Sequence, residues 1–409
     1  MTPPDSQSTA IPSWLAAAAR RPRVIGNGPT VLQVLPSLKS GGGGVEQSTL
    51  DIASALAGAG WRPVVASAGG DLTHDLVRIG APHVTLALDS KNPITLWHNI
   101  SRLEYLMAAH DVRLIHARSR APAWSAYFAA KRTRRPFITT VHGTYNANNP
   151  LKHRYNRIMT EGDRVIANSE FTAAYVRQHY GIDDRRLRVI PRGIDMVRFD
   201  PSSVSTERVI KLVNAWRLPE DLPVVLLPGR LTRWKGQTVL IDALARLGRR
   251  DLRCVLVGSD QGRHGYRQEL EAKTKSLGLS DIIQIVPHCA DIPAAYKLAS
   301  VVVSASTDPE AFGRIAVEAQ AMERPIIATD HGGSRETVKP GAASWLTPPG
   351  GVAALAEALS AALSLTPDLK NTATKEAAAF VRQHYDRDLM GKRTLAVYDE
   401  VLSQGSFPK

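Results

Sequence analysis

From Val31 the chain alternates short β-branched runs with longer stretches whose apolar positions return at helical spacing. Residues 31–35, 63–66, 114–116, 137–140, 165–167 and 189–190 predict strands, with helices near 45–57, 121–131 and 171–178. Repetition of strand, helix and strand predicts a parallel sheet covered on both faces, the doubly wound α/β class.

The rhythm breaks at Phe199-Asp200-Pro201-Ser202-Ser203 and, after one helix, resumes with the strongest strand pattern of the chain at 224–227. Further runs at 255–257, 282–286, 301–304, 326–328 and 345–347, each followed by a helical segment, predict a second parallel sheet. The expected division is a tail at 1–28, a Rossmann-like domain at 29–200, a second at 201–385, and a closing helix at 386–409 that crosses back to the first. Open α/β sheets bind ligands outside the carboxyl ends of their strands, so two of them facing across a cleft place chemistry at strand ends.

A length of 409 residues fits this division, since single cores stop growing beyond about 250–300 residues. No apolar run approaches the roughly 20 residues of a membrane-spanning helix, and residues 1–13 lack the pattern of a signal peptide. A cytoplasmic location is the expectation. Cys254 and Cys289 stand far apart without metal-ligand spacing, so neither a disulfide framework nor a metal site is expected. The net charge of +13 gathers in Arg20, Arg21 and Arg23, in Lys131, Arg132, Arg134 and Arg135, and in Lys152, His153, Arg154 and Arg157. A solvated basic face explains such clusters; so does an anionic inner membrane touched peripherally. Nucleic acid is disfavoured, because no stacking aromatics interleave with the charges and no recognition motif appears.

The segment from Ser306 to Glu318 carries the most chemistry. After the strand at 301–304 a loop holds Glu310, and a helix starts near Gly313 with Glu318 in its second turn. The first turn of a helix offers unpaired N–H groups and a positive dipole end to a phosphate, here through Phe312, Gly313, Arg314 and Ile315. A carboxylate just ahead of that turn repels phosphate but suits the hydroxyls of an attached sugar. Directly after the strand at 224–227, Pro228-Gly229-Arg230-Leu231-Thr232-Arg233-Trp234-Lys235-Gly236 supplies a guanidinium fork and a mobile ammonium for one diphosphate. Gly41 to Gly44 sit between a strand and a helix, as a phosphate loop does, without the spacing of a dinucleotide fingerprint.

Together these marks resemble the retaining glycosyltransferases of family 4, whose fold is GT-B. They comprise the Glu-x7-Glu pair Glu310 and Glu318, Gly229-Arg230-Leu231 with Lys235-Gly236, the Gly-rich loop, Val141-His142-Gly143, and Pro191-Arg192-Gly193-Ile194-Asp195. The resemblance implies that Arg230 and Lys235 hold the donor diphosphate, Glu318 bonds the ribose, and Glu310 orients the transferred sugar. His142 contacts the sugar or its phosphate, Gly43 and Gly44 approach donor and acceptor, and Pro287 and His288 border the nucleobase. It also implies independence from metals and cofactors, because Arg, Lys and helix amides replace a cation.

Double displacement needs a second carboxylate about 5 Å from the first, and the sequence offers Glu310 no such partner. The resemblance implies same-face attack, with a donor phosphate oxygen taking the acceptor proton. The likeness extends to bacterial enzymes of lipopolysaccharide core and surface glycans. It suggests a hexose, mannose from GDP-mannose, moved to a lipid-linked glycan acceptor. The alternatives are a UDP-hexose donor or a catalytically silent sugar-nucleotide-binding protein.

Overall fold

The computed structural model describes residues 26–39, 44–145 and 149–404. Gly43 therefore lies outside the described residues, and Gly44 opens the helix Gly44–Gly58. Thirteen strands among these residues form two parallel sheets. The first contains β1 (Thr30–Val34), β2 (Arg62–Ser67), β3 (His83–Thr85), β4 (Val112–Ala117), β5 (Phe137–Val141), β6 (Arg164–Ala167) and β7 (Leu187–Val189), in the order β3-β2-β1-β4-β5-β6-β7. The second contains β8 (Val224–Pro228), β9 (Arg253–Val257), β10 (Ile283–Val286), β11 (Val301–Ser304), β12 (Ile326–Thr329) and β13 (Ser344–Thr347), in the order β10-β9-β8-β11-β12-β13. Strand order reverses beside β1 in one sheet and beside β8 in the other, which makes the carboxyl ends of β1/β4 and of β8/β11 the switch points where such sheets bind ligands.

Two units share the chain. One takes the described residues within Met1–Ala167, Val176–Arg188 and Gly391–Lys409; the other takes Asn168–Tyr175 and Val189–Met390. The second begins at Val189, ahead of the break at 199–203. The Pro191 to Asp195 motif belongs to it and clamps the entry of the last helix: Ile194 N–H donates to Tyr385 O (2.8 Å), Arg387 N–H to Ile194 O (3.0 Å), and Arg387 Nη1 to Asp195 Oδ2 (2.6 Å).

In the second unit, alternate residues of one strand enter opposite layers, as the period of two requires. Val224 and Leu226 join Trp216, Phe312, Ala316 and Val317 on one face, whereas Val225 and Leu227 join Leu240, Leu244 and Leu359 on the other. With both faces covered, β8 needs apolar residues at every position, and it has them.

Two features of the first unit differ from the sequence pattern. The stretch between β2 and β4 contains β3 and the helices Thr73–Ile79 and Pro93–Ala109. β3 is a three-residue strand at the sheet edge carrying His83 and Thr85, too short and polar to announce itself. The longer helix is announced by its start: Asn92 Oδ1 accepts the Ile94 N–H (2.9 Å) and Pro93 occupies the first turn. The last strand of this sheet lies at Leu187–Val189 rather than 189–190.

Candidate active site

The loop leaving β8 and the loop leaving β11 are tied edge to edge at the switch point of the second sheet. Thr307 N–H donates to Trp234 O (2.8 Å) across the two, and Gln237 Nε2 donates to Arg230 O (3.0 Å) within the first. Gly236 holds a φ of 70°, and a Cβ there would fall 1.8 Å from Ala305 O, so only glycine lets the two backbones approach this closely.

That approach delivers the Lys235 ammonium to Glu310, whose Oε1 accepts its hydrogen bond and a second from Ser306 Oγ (2.7 Å). The indole of Trp234 backs the ammonium, 4.5 Å from ring centre to Nζ. Burial opposes charge on Glu310, but the charge and hydrogen bond of Lys235, the hydrogen bond of Ser306 and the charge of Arg230 outweigh it. Its carboxyl stays below the usual carboxylate range.

The helix Arg314–Ala321 begins against this loop. A Cβ on Gly229 would lie 3.7 Å from Lys235 Cδ and 3.8 Å from Ile315 Cδ1, which brings the cationic loop and the first helical turn into one place. Gly313 caps the helix with a φ of 87°. The Phe312 ring is buried edge-on against Tyr385, 5.5 Å between centroids, so only its backbone can face a ligand.

Glu318 is buried and each of its oxygens accepts a bond, Oε1 from Arg314 Nε (2.5 Å) and Oε2 from the Tyr296 hydroxyl (2.8 Å). Burial and the Glu318 charge together push the Tyr296 phenol up, so it remains a donor to that carboxylate. A carboxylate oxygen has two acceptor directions, which leaves Glu318 able to take a further hydroxyl. Pro287 and His288 follow β10, exposed and two strands from β8 on the same sheet edge. Gly44 and His142 belong to the first unit, His142 directly after β5 and partly buried.

Sequence reasoning missed the floor of the Glu310 loop. Gly333 N–H donates to Glu310 O (2.7 Å), and a Cβ on Gly332, whose φ is 59°, would fall 2.4 Å from that same oxygen. The His331-Gly332-Gly333 triplet after β12 was the available signal. In the first unit, Arg118 follows β4 at the other switch point, buried, its Nε donating to Gln33 Oε1 (2.8 Å) and its Nη1 to Ser48 Oγ (3.3 Å). An arginine ending an apolar strand marked it.

Residues 42–198 match the model for Glycosyltransferase Family 4, and residues 210–379 match that for Glycosyl transferases group 1. The chain is 30% identical over 334 residues to a D-inositol 3-phosphate glycosyltransferase of Salinispora arenicola, covering 74% of this chain and 72% of the relative. Its alignment with the relative of the same name from Geodermatophilus obscurus spans 50% of that protein's length. A glycosyltransferase structure from Rickettsia africae is 36% identical, with a TM-score of 0.85 over 93% of this chain and all of the other. Anabaena Alr3699/HepE, solved in complex with UDP and glucose, is 25% identical with a TM-score of 0.79 over 91% of this chain and all of the other.

Proposed function

The chain belongs to the family 4, group 1 glycosyltransferases with the GT-B fold, and from that premise we propose a retaining transferase that moves a hexose from a UDP-hexose to a phosphate-bearing, lipid-linked glycan. The observation that carries this reading is the Lys235, Glu310 and Ser306 cluster beside the start of the helix Arg314–Ala321.

Lys235 resolves the conflict of a carboxylate placed next to an anion site. Its three N–H donors serve Glu310 and a donor phosphate at once, so the carboxylate is neutralised on the side facing the phosphate and stays available to the sugar. Arg230 and the first-turn amides take the remaining phosphate charge. The acceptor hydroxyl attacks the anomeric carbon as its bond to the diphosphate breaks, and the hydroxyl proton passes to a donor phosphate oxygen on the same face. Glu310 favours the positive charge that develops at the anomeric carbon.

The UDP-hexose reading is preferred to GDP-mannose because Alr3699/HepE, 25% identical, carries UDP and glucose. A phosphate-bearing acceptor is supported by relatives named for D-inositol 3-phosphate, and a lipid-linked one by the basic clusters of the first unit. Calorimetric titration with UDP and GDP, followed by turnover of UDP-glucose and GDP-mannose with anomeric configuration read by NMR, tests the reading. Preference for GDP overturns the donor; an inverted product overturns the mechanism.

A further inference from the structure

The first unit exposes a row of large apolar side chains. Ile94 and Trp97, 68% and 63% exposed, stand one turn apart on the helix Pro93–Ala109. Phe128, 41% exposed, lies on the adjacent helix Arg120–Thr133, and Leu151, 77% exposed, opens the helix Pro150–Arg157. Arg132 and the half-buried rings of Trp124 and Tyr155 link them. The Arg132 guanidinium lies 5.3 Å from the Trp97 ring centre; Phe128 precedes Arg132 by one turn and stacks on Trp124 at 6.3 Å; Trp124 stacks on Tyr155 at 6.3 Å; and Tyr155 follows Leu151 by one turn.

Cations frame this row. Lys131 sits over Tyr127 with its ammonium 4.5 Å from the ring centre, and Lys131, Arg132, Arg134, Lys152, Arg154 and Arg157 are all exposed. Among the described residues, two of these cations pair with carboxylates, Arg132 with Glu104 (3.1 Å) and Arg157 with Glu161 (3.3 Å). Isolated exposed apolar residues are ordinary, but a contiguous run of them is not. Aromatic rings flanked by long cationic side chains fit the boundary of an anionic bilayer, where rings enter the acyl region and ammonium and guanidinium groups stay among phosphates.

We propose that Ile94, Trp97, Phe128 and Leu151, framed by Lys131, Lys152 and Arg154, form the surface by which this chain docks on an anionic lipid bilayer. The inference deepens the lipid-linked acceptor reading and rests on it.

The test is flotation of the full chain with vesicles of phosphatidylcholine alone or mixed with phosphatidylglycerol. The chain floats with the anionic vesicles and is released by salt. Trp97→Ser with Phe128→Ser lowers the partition by about tenfold or more, the loss expected for even one buried ring. Neutralising Lys131, Lys152 and Arg154 to Gln lowers it by about fivefold per charge, while Ile210→Ser on the second unit changes nothing. Equal flotation of the apolar variant and the wild type overturns this surface and leaves a membrane role standing. Absence of wild-type flotation overturns both. A dimer in light scattering that the same substitutions dissolve assigns the face to a second copy and likewise overturns the proposal. UDP binding, measured on each variant, reports separately on the donor reading and stays at the wild-type value.

Discussion

Lys235 and Glu310, 75 positions apart, meet in a charge-assisted hydrogen bond where the loops leaving β8 and β11 touch. Neither residue is spent on the other. The ammonium has three donors and the carboxylate a second oxygen, the Lys235 stem lies beside Gly229 and Ile315, and the pairing assigns the two residues separate work that mutation can divide.

Glu310→Gln keeps the size of the side chain and removes its charge. Transfer falls by about a hundredfold to a thousandfold, the range for losing one electrostatic contact to a transition state, while UDP affinity holds within a few-fold. Steady-state kinetics beside calorimetry separates the two. A matching loss of UDP affinity removes the distinction between sugar-facing and phosphate-facing groups.

Lys235→Met leaves the Glu310 carboxylate among buried groups with less compensation, and stability at neutral pH drops by about 3–5 kcal/mol. The native Glu310 carboxyl is held low, so its contribution is present above the unfolded value near about 4.3 and is lost as pH falls through the lower folded value. The stability gap between variant and wild type therefore narrows below about pH 4. Urea melts across the acid range measure it, and a gap independent of pH refutes the pairing.

Gly332→Ala and Gly181→Ala form a matched pair, since both glycines hold a φ of 59°. A methyl at 181 meets open space and costs about 1–2 kcal/mol of backbone strain. A methyl at 332 meets Glu310 O and must also displace the loop that carries the carboxylate. Thermal melts show loss in both, whereas kcat falls about tenfold or more only at 332, as a displacement of about 1 Å predicts.

His116 is buried with Nδ1 against the Tyr398 hydroxyl (2.6 Å) and Nε2 against Thr140 Oγ1 (2.7 Å), and burial, helped by the Arg118 charge, holds its pKa well below the usual 6.5. The unfolded chain binds the proton first. Stability is thus full above about pH 6.5 and declines on acidification by up to about 1.4 kcal/mol per pH unit. His83, lowered by burial to about 4, adds to the decline between 6.5 and that value. His116→Gln flattens the acid limb without abolishing it, which melts at stepped pH values show.

The strands were legible wherever both faces are covered, because β8 then carries apolar residues at every position and β11 at every position but its last, Ser304. β3 was not, since an edge strand of three residues needs neither length nor continuous hydrophobicity. Within the site, Arg230, Lys235, Glu310 and Gly313 could be read from their places after strands and before a helix. The partnership of Lys235 with Glu310 could not, because it depends on how closely Gly236 lets two loops approach. Nor could the contact of His116 with Tyr398, separated by 282 residues, since each is an ordinary helix or strand residue locally.

The first unit takes its final pieces from the end of the chain: Tyr398 against His116, and Glu400 accepting from Arg164 (2.8 Å) and Arg188 (2.6 Å). Emerging from the ribosome, its seven strands hold the buried imidazole through Thr140 alone and offer these guanidinium groups backbone carbonyls but not the Glu400 carboxylate until the entire second unit has been translated. Folding therefore closes in the reverse of reading order, and a nascent chain arrested before residue 391 holds a first sheet with its polar centre open.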